Sequence, residues 1–455
     1  MSNSDIITKL RQRLRSEFFR NTFLVMSGTA FAQVIAVAVS PIITRLYTPA
    51  DFGAFGVYMS VVSVAVAVST LRFDQALMLP KRDEDAANLL GLSWLAVIAV
   101  AGLTALICIP CRHRIAALVE LPAFARWVWL IPLSVFLSGT YLCLTAWSTR
   151  QKQFRPAAAA HVARATAAAT CKCAGGAMHA GTFGLIVGEI IGATCASLVL
   201  GLRLLKWHGA SVRRALRLSR MKELAREYSD FPLYGSTEIG LVALSQNIPT
   251  LLLAYFFGMD VAGYYVLGTR VIQLPANVLL TSLRQVLFQK LSEVHNSGGD
   301  TYRLFKAATL ALLTMGFVGF SIMVLFGPAM FSFVFGSQWN IAGEYSQWLA
   351  LWLAILFVNL PAVLFSKIYR KQRAILVFGV VLIACRAGAL IFGGTYLSPL
   401  RTVALFSIVG AVLNAYLIVW MWGVVRRASA EATSRRSQEP PQDSHDGTSE
   451  REEVS

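Results

Sequence analysis

Charge is scarce in this chain. Charged residues make up 14% of the 455 and hydrophobic ones 56%, against about 25% charged in an ordinary soluble domain. With a mean hydropathy of +0.59, that scarcity excludes a soluble globular protein. The six histidines show no metal-ligand spacing, no glycine-rich phosphate loop is present, and no connection is long enough to house a catalytic domain. These absences argue against an ATP-driven pump and against an enzyme, and no cofactor or metal is expected. The seven cysteines sit in or beside apolar runs, where cysteine serves as a small packing residue. Cys108 and Cys111 have the spacing of a redox pair without the βαβ surroundings that such a pair needs. No cleavable leader is read: Lys9, Arg11, Arg13, Arg15 and Arg20 precede an apolar run too long for a signal peptide.

What the chain does have is long apolar runs. A spanning helix needs about 20 apolar residues, and about twelve segments meet that need. They lie near 21–43, 52–72, 87–109, 127–147, 156–178, 182–204, 233–257, 261–283, 304–326, 341–365, 374–392 and 399–424. The fold class is therefore an all-α polytopic membrane protein. The connections alternate in charge, and most of the 41 Lys and Arg fall on one side, the positive-inside pattern that puts both termini in the cytoplasm. That pattern also accounts for the net charge of +17 without a nucleic-acid partner. Residues 1–20 read as a basic amphipathic segment on the inner membrane surface. Residues 21–204 and 231–425 read as two six-helix lobes, 205–230 as a basic cytoplasmic linker docked on anionic lipid, and 426–455 as a disordered cytoplasmic tail.

The stretch from Asp230 to Glu293 organises the rest, because an earlier stretch echoes it. Pro41 precedes Gly53 as Pro249 precedes Gly263, and Thr70-Leu71-Arg72 matches Ser282-Leu283-Arg284, at an offset of about 210 residues. Pro41, Pro249 and Pro275 fall inside apolar segments, where proline kinks a helix. Each such kink is either structural or a gate that bends.

A charge near the bilayer centre is costly and marks either a pathway or a pair. Arg164, Arg270, Arg386, Glu189 and Glu238 lie at such depths, and Lys172 and His161 share a helix face with Arg164. Arg72 and Arg284 hold equivalent repeat positions at the inner membrane edge. One chemistry that fits is a cationic cavity for a diphosphate or acidic headgroup, since arginine's planar fork binds phosphate bidentately. The alternative is that these arginines pair with Glu189, Glu238 or Asp74, or snorkel. The same three acids are candidates for binding a coupling proton or sodium ion.

At these residues the chain resembles the polysaccharide transporter, or oligosaccharide flippase, family of the multidrug/oligosaccharidyl-lipid/polysaccharide exporter superfamily. The matching pieces are TRLYTPADFGAFGVY with STLRFDQALMLPKRDEDAANLL, then YSDFPLY, AGYYVLGTRVIQLPANVLLTSLRQVLFQK, and FGSQWNIAGEYSQWLALWLAILFVNLPAVLFSKIYRKQR. The resemblance implies a bacterial inner-membrane protein with two six-helix lobes around a central cavity. It further implies flipping of an undecaprenyl-diphosphate-linked oligosaccharide for O-antigen, capsule or exopolysaccharide, by ion-coupled alternating access. Other polysaccharide-assembly proteins and membrane lipids are the partners it suggests. The alanine-rich segment with Cys171-Lys172-Cys173 departs from the family pattern. A cation-coupled multidrug exporter of the same architecture, which would want acidic cavity walls, and a membrane-embedded glycan polymerase are the competing readings.

Overall fold

The computed structural model describes residues 28–118, 122–297 and 299–438. The amphipathic segment at 1–20 and the end of the tail lie outside them. Every regular element in the described residues is helical. In order, they are α1 Gly28–Leu46, α2 Pro49–Ser69, α3 Phe73–Ala76, α4 Asp83–Leu118, α5 Leu130–Arg150, α6 Phe154–Ala177, α7 Thr182–Trp207, α8 Gly209–Ala215 and α9 Leu218–Glu227. There follow α10 Ser236–Phe257, α11 Met259–Asn296, α12 Thr301–Phe335, α13 Asn340–Val358, α14 Leu360–Ile368, α15 Gln372–Tyr396 and α16 Pro399–Gln438.

Among the described residues, eleven helical stretches are long and apolar enough to cross a membrane, one fewer than the sequence suggests. The exception is α6. It is a helix of 24 residues, the length of a span, but His161, Arg164 and Lys172 among alanines leave it short of apolar character. α11, α12 and α16, with 38, 35 and 40 residues, exceed what about 30 Å of hydrocarbon requires. α16 continues to Gln438, into residues the sequence assigns to a disordered tail. Alanine, glutamate and arginine are good helix formers, and extending an existing helix avoids the cost of nucleation.

Local signals fix several starts. Thr48 and Asp51 form a capping box at α2: the Thr48 hydroxyl accepts from Asp51 N at 3.2 Å, and Asp51 Oδ2 accepts from Thr48 N at 3.1 Å. Pro49 stands where its missing N–H costs nothing. The last carbonyls of α1 are satisfied from a distant segment. Trp339 Nε1 donates to Thr44 O at 2.8 Å and Gln338 Nε2 to the same oxygen at 2.7 Å.

The chain divides into two compact units. One comprises residues 1–272, 322–350 and 383–407; the other comprises 273–321, 351–382 and 408–455. The core of the first gathers Phe52, Tyr58, Phe124, Ile131, Leu185, Phe331 and Trp339. The second is built on Phe305, Phe357, Phe365, Leu291 and Met421, with a buried amide pair, Asn359 Nδ2 to Asn414 Oδ1 at 2.8 Å.

The basic linker is partly protein-bound. α9 buries Met221 and Leu224, and Gly91 on α4 leaves the room that Met221 and Leu216 occupy. Arg220 reaches Asp85 through Nε at 2.7 Å and Nη2 at 3.1 Å. Hydrogen bonds to the Asp85 and Glu223 carboxylates push the Arg220 guanidinium up. The face of α9 that carries Met221 and Leu224 thus lies on α4.

Candidate functional site

The site begins with small residues. Gly184, Gly188 and Gly192 recur every four positions on α7 and so form one stripe. Against them lie Gly175, Lys172, Ala168 and Arg164 of α6: a Cβ on Gly188 would meet Lys172 Cγ, and one on Gly192 would meet Arg164 O at 2.8 Å. Such stripes let membrane helices approach to backbone contact. Glu189, next to Gly188, is thereby held between two cations on the opposing helix.

Arg164 Nη2 donates to Glu189 Oε1 at 2.9 Å, and Lys172 Nζ donates to Glu189 Oε2 at 2.8 Å. Each carboxylate oxygen takes one cation, so the cluster carries a formal charge of +1. The side chains of Lys172 and Glu189 are 9% and 21% exposed, and that of Arg164 is 30% exposed. Lys172 is thus enclosed while Arg164 keeps an open edge. Its guanidinium carbon lies 5.3 Å from the Tyr141 ring centroid, and Lys172 Nζ lies 5.0 Å from that of Phe55. Tyr141 Oη is 2.9 Å from His161 Nδ1, and Tyr47 Oη donates to Lys172 O at 2.7 Å. Aromatic faces thus steady both cations, and Arg164 uses only one of its nitrogens on Glu189.

Three of the residues singled out in the sequence are therefore together: Arg164, Lys172 and Glu189. The others are dispersed. Arg72, half-buried, has left-handed backbone with φ 61° at the start of α3, and its stem lies against Gly235. Asp74 accepts from Thr70 Oγ1 at 2.6 Å. Arg386 stacks on Phe406, its guanidinium carbon 3.9 Å from the ring centroid, and Phe406 meets Tyr265 edge-on at 6.2 Å. Arg270, Arg284 and Glu238 are exposed, Glu238 in the first turn of α10. Pro41, Pro249 and Pro275 all lie within continuous helices. The boundary between the compact units falls between Ile272 and Gln273, just before Pro275.

Sequence reasoning missed the ring partners Phe55 and Tyr141. It also missed the glycine stripe, whose signal was the spacing of Gly184, Gly188 and Gly192 beside an embedded acid. That spacing predicts the close approach which makes Glu189 a partner rather than a free carboxylate.

The helical multi-pass fold is shared by solved membrane transporters. The chain's fold is similar to an inward-facing multidrug-resistance MATE transporter of the MOP superfamily, with TM-score 0.72 at 13% identity over 90% of this chain and 99% of that one. It is also similar to the lipid II flippase MurJ in an inward closed conformation, with TM-score 0.69 at 11% identity over 92% and 93% of the two chains. Residues 42–343 match the family model described as polysaccharide biosynthesis protein, and the chain belongs to that family. A relative from Rhizobium meliloti (strain 1021), named succinoglycan biosynthesis transport protein ExoT, is 23% identical over 413 residues, 89% of this chain and 79% of that one. The chain is thus a multi-pass membrane protein of a transporter family of polysaccharide biosynthesis.

Proposed function

We propose that this protein carries an undecaprenyl-diphosphate-linked oligosaccharide from the cytoplasmic to the outer leaflet of a bacterial inner membrane, for O-antigen, capsule or exopolysaccharide assembly. The two lobes, 21–204 and 231–425, would alternate access, with both termini in the cytoplasm. The observation that carries the reading is the cluster of Arg164, Lys172 and Glu189, which keeps a net positive charge inside the first lobe. A drug cation would be repelled there, whereas a diphosphate would be attracted. Arg270, Arg386, Arg72 and Arg284 are the further candidates for binding the diphosphate or an acidic sugar.

The geometry also supports coupling. An anionic headgroup approaching the open edge of Arg164 competes with Glu189 for the same cations. A diphosphate that takes both cations offsets their charge and would leave Glu189 free to take a proton or a sodium ion. Glu238 and Asp74 are the further candidates for the coupling ion, and Pro41, Pro249 and Pro275 for the bends that open each side.

The test is Arg164→Ala beside Arg164→Lys, each at wild-type membrane abundance. Lipid-linked oligosaccharide should accumulate on the inner leaflet in the alanine variant, with surface glycan lost. The lysine variant should retain part of the activity, since it keeps the charge and loses the fork. Unchanged surface glycan in both variants would remove the cluster from the transport path.

A further inference from the structure

Within the second compact unit, α15 and α16 enclose a groove of about 450 Å³ that the transport reading leaves unused. Its walls are apolar and aromatic: Val377, Phe378 and Val381 from α15, Tyr416, Leu417 and Trp420 from α16. Arg373 is the charged residue of the lining. The α15 residues from Arg373 to Val381 follow one helix face, so the groove runs about 12 Å along the axis from its charged end.

The charged end is concentrated by a turn. Between α14 and α15 the chain reverses tightly at Arg370, whose φ is 52°, and Lys371 N donates to Ser366 O at 2.8 Å. Lys367, Arg370 and Lys371, all exposed, lie within six residues of Arg373 across this reversal. From residue 345 to residue 430 the sequence contains no Asp or Glu. Neither wall of the groove therefore supplies a carboxylate within the membrane-spanning stretch, and the mouth is complementary to an external anion.

We infer that this groove seats the isoprene units next to the phosphate of a polyprenyl phosphate, with the phosphate on Arg373 and its neighbouring cations. The inference rests on the transport reading for its choice of lipid. A polyprenyl phosphate has one chain on its phosphate, so one apolar groove with one cationic mouth takes the phosphate and the first isoprene units of that chain. A diacyl phospholipid would leave a second chain outside. The flat rings of Phe378, Tyr416 and Trp420 give dispersion contact to the planar, methyl-branched units of such a chain. Occupancy here would precede transport, the phosphate leaving Arg373 when the headgroup crosses.

The experiment uses the full chain in lipid nanodiscs and undecaprenyl phosphate carrying a photoactivatable diazirine in an isoprene unit next to its phosphate. Labelled peptides should map to residues 373–381 and 413–420. Excess unlabelled undecaprenyl phosphate should suppress the labelling roughly tenfold, and Arg373→Gln should weaken binding by a similar factor, the scale of one charge-assisted hydrogen bond. Phosphatidylglycerol at the same concentration should leave the labelling intact, and Val377→Trp should abolish it by filling the groove. Equal suppression by phosphatidylglycerol would overturn the assignment in favour of an ordinary anionic lipid, and labelling confined to other helices would overturn the groove itself. The competition arms use the unsubstituted chain, so a variant that fails to fold does not spoil the test. Labelling reports occupancy without transport, so its failure is distinct from failure of the leaflet assay.

Discussion

Gly53 and Gly263, the glycines that correspond in the internal repeat, touch each other's helices at the start of α2 and α11. A Cβ on Gly53 would run into the carbonyl of Met259, and one on Gly263 into the carbonyl of Pro49. Each glycine thus abuts the residue four positions before its counterpart, as a two-fold relation between repeats requires. Trp339 packs edge-on against Phe52 beside this crossing, with ring centroids 5.0 Å apart, and its indole caps Thr44 O. Replacing Gly263 by Val should force these backbones apart, at a cost of about 1–3 kcal/mol for overpacking. In a background without the natural cysteines, a cysteine at Thr44, which is fully buried, should gain reactivity toward an impermeant thiol reagent added outside. Unchanged reactivity would show that the crossing is not a seal.

Glu189 is the shared anion of two cations, and its loss leaves both unpaired. Glu189→Gln should destabilise the protein by about 3–5 kcal/mol, the range for breaking a buried pair, with partial exposure lowering the figure. Adding Lys172→Met to Glu189→Gln should recover part of that loss, because the most enclosed cation then goes too. Thermal unfolding of the single and double variants in detergent measures the coupling. Additive effects would deny it.

α6 is too polar to enter the membrane on its own apolar character, so its insertion should depend on α7. Gly188→Leu, which places a branched side chain where Lys172 now lies, should reduce the fraction of chains with α6 inserted. A topology reporter placed at residue 180 reads this as a change of side. The same orientation in the variant and the parent would mean that the charges of α6 are accommodated without the helix pair.

The docking of α9 rests on Met221 against Gly91 and on the Arg220 fork. Met221→Glu puts an unpaired carboxylate on the apolar face. Trypsin should then cut after Arg213, Arg214 or Arg217 several-fold faster, and unchanged cleavage would show that the helix does not need that face.

Much of this architecture was legible in the sequence because hydrophobic length and charge asymmetry are local signals. The glycines at 53 and 263 were visible as members of the internal repeat, whereas the capping box at Thr48 and Asp51 was not read. The charges of α6 were visible as a face, but which acid they met was not. That depends on the helix register set by Gly184, Gly188 and Gly192, a relation between two segments. The stacking of Arg386 on Phe406 is likewise a meeting of neighbouring helices that neither sequence announces. The continuation of α16 to Gln438 was missed because a polar composition reads as unstructured, although a helix already formed extends at little cost. The division of the chain into compact units at mid-helix positions such as 272 and 350 leaves no mark in the apolar runs.

The most direct test of the account is transport itself, with the full chain purified into vesicles that carry undecaprenyl-diphosphate-linked oligosaccharide. A glycosidase added outside reports the fraction of substrate it can reach. The account predicts that the protected leaflet empties in an ion-gradient-dependent way with the parent chain and stays protected with Arg164→Ala. Equal emptying by both, or none by the parent when its fold and insertion are intact, would contradict it.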